Sequence, residues 1–405
     1  MSLWRRWASF LALGRNTGLL LGMLVLAGTG ERLWLGFVPK YLEVLGAGTL
    51  IIGLFDALQT LLGALYAYPG GWLTDRWGQR RALLLFAGLS LAGYTLVLVW
   101  SHWLALLLGA FLFLAWSTLS LPATFTLVAT SLQAHRHTMG IGVQSLVRRV
   151  PMMLGPLLGG WLVTRYGWHD GIRLALAGCI GLSLATAALT CGLTPPPGSP
   201  SKVDGPAPGF AAIVRAFRPE LRELLISDIL IRFCERIPYA YVILWAMDHA
   251  GLSAGQYGTL VALEMLTAMV CYVPVAHLAD RYGRGPFVLA TFGFFTLFPL
   301  TLLGAHGWTG LVLAFVVRGL KEFGEPARKA MIIAAADPAT RSRTYGAYYL
   351  IRDCVVTSGS FLGAALWHWH PAANFLGAAL CGLAGTVWFA RRVAPRPAPT
   401  LAGGR

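Results

Sequence analysis

The chain predicts an all-α membrane protein with twelve transmembrane helices in two repeated halves of six. Three observations carry that expectation. Apolar runs of about twenty residues recur along the whole length, each long enough to cross a hydrocarbon core about 30 Å thick. Of 405 residues, 56% are hydrophobic and 12% charged, where a soluble domain carries about 25% charged residues. The basic residues also alternate by loop. Arg5, Arg6, Arg76, Arg80, Arg81, Arg136, Arg215, Arg218, Arg222, Arg281, Arg284, Arg341, Arg343, Arg391, Arg392 and Arg396 lie in every second loop or at the termini. The loops near Gly46, His102, Asp248, His306 and His368 carry almost none, and the loop with Arg165 and Arg173 is a mild exception. Cytoplasmic loops of membrane proteins are rich in Lys and Arg, so both termini are expected in the cytoplasm and the number of spans is even. The net charge of +15 thus belongs to loops, which argues against a nucleic-acid partner.

Loop punctuation places the spans near 17–44, 49–69, 82–100, 103–131, 138–163, 172–193, 222–247, 254–276, 285–304, 309–335, 342–367 and 372–393. The basic N-terminus with its first apolar run resembles a signal peptide, but the run is too long and lacks a clear cleavage site. Residues 194–209 are rich in Pro, Gly and Ser and read as a linker. Phe210 to Leu225 alternates apolar and basic positions at helical spacing, as in a helix lying on the cytoplasmic membrane surface. The expected domains are therefore 1–193, a linker at 194–221, and 222–405 with its tail. Cys179, Cys191, Cys234, Cys271, Cys354 and Cys381 all sit in apolar runs without a close pair, as small core residues do. His368 and His370 have no further ligand beside them, so no metal site is expected.

The two halves are a repeat. Glu31 and Arg32 return as Glu235 and Arg236, Pro122 as Pro326, and Gly142, Arg148, Gly155 and Gly159 as Gly346, Arg352, Gly359 and Gly363, all at a separation of 204. A charged turn recurs as well. Gly71-Trp-Leu-Thr-Asp75-Arg76-Trp-Gly78-Gln79-Arg80 lies after the second span, and Ala276-His-Leu-Ala-Asp280-Arg281-Tyr-Gly283-Arg284 after the eighth. The first copy resembles the signature loop of the major facilitator superfamily at Gly71, Asp75, Arg76, Gly78 and Arg80, with Gln79 where a cation is usual. The second copy is weaker, with Ala276 for the first Gly and Gly285 for the last cation. Gly142, Arg148, Arg149 and Gly155-Pro156-Leu-Leu-Gly159-Gly160 are similar to that family's exporter-associated motif, Pro151 replacing one glycine. Arg318 to Gly324 looks like the family's Arg-x-x-x-Gly-x-Gly pattern with Glu322 for the middle glycine. That pattern is usual in the fourth span, where this chain has Ala115 to Thr118.

The resemblance implies two pseudo-symmetric six-helix bundles, a central cavity that opens alternately to each side, and gating by the loops at Asp75 and at Asp280, Arg281 and Gly283. Asp75 is expected near Arg343 at the start of the eleventh span.

An ionisable side chain at bilayer depth costs at least ~2.5 kcal/mol on insertion scales, so it faces protein or a wet cavity. Glu31 and Arg32 in the first span and Glu235 and Arg236 in the seventh are such groups. Trp34 and Tyr41 share a helical face with Glu31, and Tyr239 one with Glu235. In the tenth span Arg318, Lys321, Glu322, Glu325, Arg328 and Lys329 fall three or four apart, which on a continuous helix makes one stripe. Arg318 with Glu322, Lys321 with Glu325, and Glu325 with Lys329 are then neighbours one turn apart. Asp56 and Glu264 stand apart as two further acids, and Asp228 is expected at the interface. The repeat also predicts one internal ion pair per half, Glu31 with Arg148 and Glu235 with Arg352.

These readings converge on a secondary active transporter that exports a small amphiphilic molecule against protons. It needs no cofactor, only the proton gradient. It is expected to act as a monomer in the cell (inner) membrane. The proton-coupling candidates are Glu31, Glu235, Glu322, Glu325, Asp56 and Glu264, with Glu31 ranked first for its aromatic face. The cavity candidates are Arg32, Trp34, Tyr41, Arg148, Arg149, Arg236, Tyr239, Arg318, Lys321 and Arg352. Their cations also suit an organic or phosphorylated anion, and a lipid is a third substrate class. No Gly-rich nucleotide loop with Lys and Ser/Thr occurs, against an ATP-driven pump, and no compact nucleophile-base motif points to a membrane enzyme. A receptor would bind ligand without turnover.

Overall fold

The computed structural model describes residues 15–120, 147–193, 210–336 and 341–394, which hold helices and no strand. The first span is broken. α1 (Arg15–Arg32) leads through a 3-10 turn at Leu35–Phe37 into a short α2 (Val38–Val44), started by Pro39, whose missing N–H is harmless in a first turn. α3 (Thr49–Trp77), α4 (Gln79–Val99) and α5 (Trp103–Phe113) follow. The fifth and sixth spans form one run, α6 (Arg149–Cys191), bent at Gly167 with φ 80° and ψ 175°. The loop expected between them is thus a turn on one glycine.

The next helices are α7 (Phe210–Arg215) and α8 (Pro219–Tyr239). The single surface helix expected over Phe210–Leu225 is two helices, because Arg218 before Pro219 is extended, with ψ 151°. Proline disfavours helical backbone at the preceding residue. α9 (Tyr241–Leu244) and a π turn at Trp245–His249 complete the seventh span. α10 (Ala254–Tyr282), α11 (Arg284–Leu303), α12 (Gly307–Leu320), α13 (Glu325–Ala335), α14 (Arg341–Trp369) and α15 (Pro371–Arg392) are the rest. The tenth span is therefore two helices and not one continuous stripe. Gly324 and Pro326 start the second, and the Gly324 N–H leaves the helical ladder to donate to Thr291 Oγ1 at 2.5 Å.

Among the described residues, seven helical stretches are long and apolar enough to cross a bilayer: Gly18–Val44, Thr49–Tyr66, Gln79–Val99, Trp103–Ser120, Arg149–Cys191, Arg284–Leu303 and Pro371–Arg392. The seventh, eighth, tenth and eleventh spans fall outside that set, and these carry the largest group of ionisable residues.

The chain divides into two compact units, Met1–Asp204 with Ala246–Ala262, and Gly205–Trp245 with Leu263–Arg405. In the first, α1 packs along α6. A Cβ at Gly155 would strike Arg32, and one at Gly159 the Leu33 carbonyl oxygen. The opposite side of the same stretch receives the start of α10: Gly160 faces the Ala254 carbonyl, and Gly258 the Pro156 carbonyl. Thr164 Oγ1 accepts from the Gly255 N–H at 2.8 Å, and Lys40 pairs with Asp248. The glycines of the exporter-like motif thus let two helices reach one backbone, the use small residues have in membrane packing.

The second unit repeats this solution with α8 and α14. Gly359 lies against Arg236 and Phe233, and Gly363 against the Ile237 carbonyl oxygen. These contacts match Gly155 with Arg32 and Gly159 with Leu33 at the 204-residue separation. Gly363→Ala should therefore cost about 1–3 kcal/mol by overpacking. Gly293→Ala, which meets nothing within 4 Å, is the control. Thermal unfolding of the two variants in detergent checks this, and equal melting temperatures would refute the close-packing account.

Candidate functional site

The seventh span builds the site. Asp228, Arg232 and Glu235 recur four and three residues apart, so they share one face of α8. Asp228 is fully buried. Arg328 from α13 pairs with it, Arg352 from α14 lies 3.4 Å away, Arg232 lies 3.8 Å away, and Tyr348 donates to it at 3.1 Å. Arg328 also holds Glu325 at 2.6 Å, and Arg352 holds Asp353 at 2.7 Å.

Arg232 links this group to a second one. Its guanidinium bonds Glu325 at 3.2 Å and Glu235 at 2.6 Å. Glu235 takes a further bond from Lys321 at 2.7 Å. Lys321 lies 3.8 Å from Glu264, which pairs with Arg318 at 3.3 Å. From Arg318 to Asp353 the charges alternate without interruption, five bases with five acids among the described residues, and Lys329 joins from the side through Glu325 at 3.6 Å. Isolated charges in a low-dielectric interior are costly, and a pair is tolerated only when its geometry answers both members. The chain of pairs gives every member an opposite charge across four spans, while Asp228 Oδ1 and Arg232 Nε, 3.8 Å apart, are buried without a hydrogen-bond partner.

A small pocket opens beside Glu235. Cys234, Glu235, Tyr239, Val242, Phe295, Phe298, Arg318 and Lys321 line it. The cations lie over aromatic faces, Arg318 5.2 Å from the Phe298 ring centre and Lys321 5.6 Å from that of Phe295. Arg236 stacks over Tyr239 at 4.8 Å.

Several expectations are corrected here. Glu235 pairs with Lys321 and Arg232, and Arg352 with Asp228 and Asp353, so the expected Glu235–Arg352 pair is replaced. The helix break at Lys321–Gly324 turns Lys321 toward α8 and α10 in place of Glu325. The Glu325–Lys329 contact is present at 3.6 Å. Glu264 does not stand apart but pairs with Arg318, and Asp228 is buried within the protein. Neither Arg232 nor Asp228 was among the candidate residues, although their spacing with Glu235 was a readable signal. Glu322 is half-buried in the turn between α12 and α13.

In the first unit Glu31 and Asp56 are buried, and Arg32, Arg148 and Arg149 half-buried. Ser117, whose hydroxyl donates to the Leu114 carbonyl at 3.2 Å, lies near Glu31, and Arg32 and Arg148 act on Glu31 electrostatically. Ser117 stands 204 residues before Lys321, and Glu31 204 before Glu235. The position that carries a hydroxyl in one unit thus carries an ammonium in the other. Trp34 and Tyr41 are not on an open face. Trp34 packs against Phe113 and Tyr94 at 5.0 and 6.1 Å, and both Trp34 and Tyr41 are buried.

At the charged turns, Gly78 and Gly283 end α3 and α10 with φ 79°, ψ 155° and φ 91°, ψ 151°, a region essentially restricted to glycine. Arg76, Arg80 and Arg281 are exposed. The surroundings of Gly71, the side chains of Asp75, Asp280 and Arg343, the linker 194–209, and Gly142 lie outside the described residues, and with them the expected approach of Asp75 to Arg343.

A helical fold built on duplicated six-span halves, with a polar core in its spans, defines a membrane transporter. The family model of the Major Facilitator Superfamily matches residues 20–234 and 224–404, and the chain belongs to that superfamily of secondary transporters. Multidrug resistance protein MdtG of Proteus mirabilis is 24% identical over 362 residues, covering 86% of this chain and 87% of that protein. Solute carrier family 67 member A1 of Homo sapiens is 30% identical over 281 residues, 64% of each chain. Among solved structures, a POT family transporter in complex with 5-aminolevulinic acid has a TM-score of 0.77 at 14% identity, over 92% of this chain and 95% of that one. The nucleoside transporter NupG has a TM-score of 0.77 at 12% identity, over 93% and 99%.

The buried cluster predicts a stability difference. Asp228→Asn leaves Arg328 and Arg352 short of an acid and should cost about 3–5 kcal/mol. Lys329→Gln, with a side chain 46% exposed, should stay within about 1 kcal/mol. Thermal unfolding in detergent separates the two. A Tm of Asp228→Asn equal to that of the parent chain would contradict the pairing scheme.

Proposed function

We propose that this transporter exports small amphiphilic molecules in exchange for protons, as a monomer in the cell (inner) membrane with both termini in the cytoplasm. The proton gradient supplies the energy, and no bound cofactor takes part. The observation that carries this reading is the pocket beside Glu235, where a carboxylate, two cations and the rings of Phe295, Phe298 and Tyr239 converge. Amphiphilic ligands need both kinds of wall. Export is supported by the relatives named multidrug resistance proteins. Proton exchange is supported by acids within the spans whose bonds to cations are replaceable. Glu31 remains the first candidate, since its environment includes one hydroxyl and the two cations Arg32 and Arg148. The second reading is transport of an organic or phosphorylated anion, favoured by Arg318 and Lys321 in the same pocket.

Reconstituted vesicles loaded with ethidium, with and without an imposed pH gradient, test this. Gradient-driven movement should fall at least tenfold in Glu31→Gln, while ethidium binding to the purified variant persists and loses its pH dependence. Full coupling in that variant moves the role to Glu235, and unaltered coupling in both variants refutes the mechanism. Movement of an anionic dye in place of ethidium would favour the second reading. For orientation, a cysteine at Arg80 should react with an impermeant maleimide only from the cytoplasmic side. Labelling from outside intact cells would reverse the topology.

A further inference from the structure

The alternation of charge in the second unit restricts what can enter it. One link in the chain of pairs differs from the others. Lys321 Nζ lies 2.7 Å from Glu235 and 3.8 Å from Glu264, so one ammonium sits within reach of two acids. Lysine is a compact charge on a flexible four-carbon stem, whereas arginine's rigid fork commits to a fixed geometry. Lys321 can therefore move toward Glu264 and release Glu235 on one side. Arg232 keeps the other side of Glu235 at 2.6 Å. The Lys321–Glu235 link also forms part of the pocket wall. The Glu235 side chain is 22% exposed, against 5% for Glu264. The replaceable link is the accessible one.

Charge arithmetic then selects the ligand. A lone organic cation on Glu235 would leave the site with one extra positive charge, and Lys321 would share Glu264 with Arg318. A lone anion on Lys321 would leave one extra negative charge and strip Glu235 of a partner. Either surplus is penalised in a poorly solvated interior. A zwitterion opens the Lys321–Glu235 contact and inserts a negative and a positive group between its two members. The alternation continues, and the net charge of the site is unchanged.

We propose that the pocket is a binding site for a small aromatic zwitterion. Its ammonium takes the place of Lys321 on Glu235, and its anionic group is received by Lys321 and Arg318. Phe295, Phe298 and the exposed Tyr239 supply the surface for its ring. Aromatic surface gives such a ligand affinity without adding charge. The proposal deepens the transport reading by naming a substrate class, and it does not depend on proton coupling.

The test uses three indoles with one ring and different charge: tryptophan as zwitterion, tryptamine as cation and indole-3-propionate as anion. Each is titrated calorimetrically into the full chain purified in detergent. Tryptophan should bind at least tenfold tighter than either analogue. Glu235→Gln should weaken tryptophan at least tenfold while sparing indole-3-propionate, and Lys321→Met should weaken it as much while sparing tryptamine. The double variant Glu235→Gln/Lys321→Met removes one charge of each sign, so it keeps the balance that folding needs. It should bind the three indoles within threefold of one another. Tightest binding of tryptamine would overturn the proposal in favour of an organic-cation site, and tightest binding of indole-3-propionate in favour of an anion site. Failure of all three to bind, or equal binding of all three to the parent chain, would also overturn it. Ethidium movement under a pH gradient, measured on the same preparation, separates the two readings. Zwitterion preference without proton drive refutes only coupled export, and proton drive without zwitterion preference refutes only this site.

Discussion

A charge taken out of water must be answered by an opposite charge, and in the second unit that requirement ties four spans together. Asp228 has no exposed surface, and it draws Arg328, Arg352 and Tyr348 onto α8 from α13 and α14. Each arginine needs a second acid to spend its remaining donors on, which brings in Glu325 and Asp353. Arg232 carries the same demand to Glu235, and Lys321 carries it to Glu264 and Arg318. The position of each helix in this unit is thus coupled to its neighbours through paired charges as well as through packing. The deep end around Asp228 is enclosed and multiply bonded, while the pocket end holds a lysine with two acids in reach. One network contains both an anchor and a replaceable link.

The repeat shows which parts of the fold are scaffold and which are specialised. Close approach of the first span to the fifth, and of the seventh to the eleventh, uses glycines at matching positions against matching carbonyl groups. That contact depends only on backbone geometry, so both halves retain it. The charges are another matter. Arg318 corresponds to Leu114 and Lys321 to Ser117, and Asp228 to Leu24. The first unit keeps Glu31 and Arg148, and among its described residues Trp34, Tyr94 and Phe113 pack on one another in its core. Among the described residues, a shared framework thus carries more paired charges in the second unit than in the first.

The helical membrane class, the repeat and the superfamily were legible in the sequence. Each follows from properties that act along the chain: apolar length against bilayer thickness, the side of basic loops, and identity at a constant separation. Glycine placement was legible in the same way, since Gly159 and Gly363 announce a close contact before the partner is known. Local chemistry at Pro219, Gly324 and Pro326 was present in the chain too, but their effect on helix continuity became visible only where the backbone turned away.

The pairing of charges was decided by the tertiary structure. Sequence spacing relates residues on one helix, so it anticipated the Glu325–Lys329 contact, and the shared face of Asp228, Arg232 and Glu235 was open to the same reading but was missed. It carries no information on the rotation or depth of one helix against another. Glu235 therefore met Lys321 across 86 residues and not Arg352, and Asp228 met Arg328 across 100. The turn at Lys321–Gly324 redirected a lysine from its own helix to two others. The sequence determined that these charges must lie inside and be neutralised. Only the packing of separate helices determined which acid neutralises which base, because Coulomb energy depends on distance in space and not on distance along the chain.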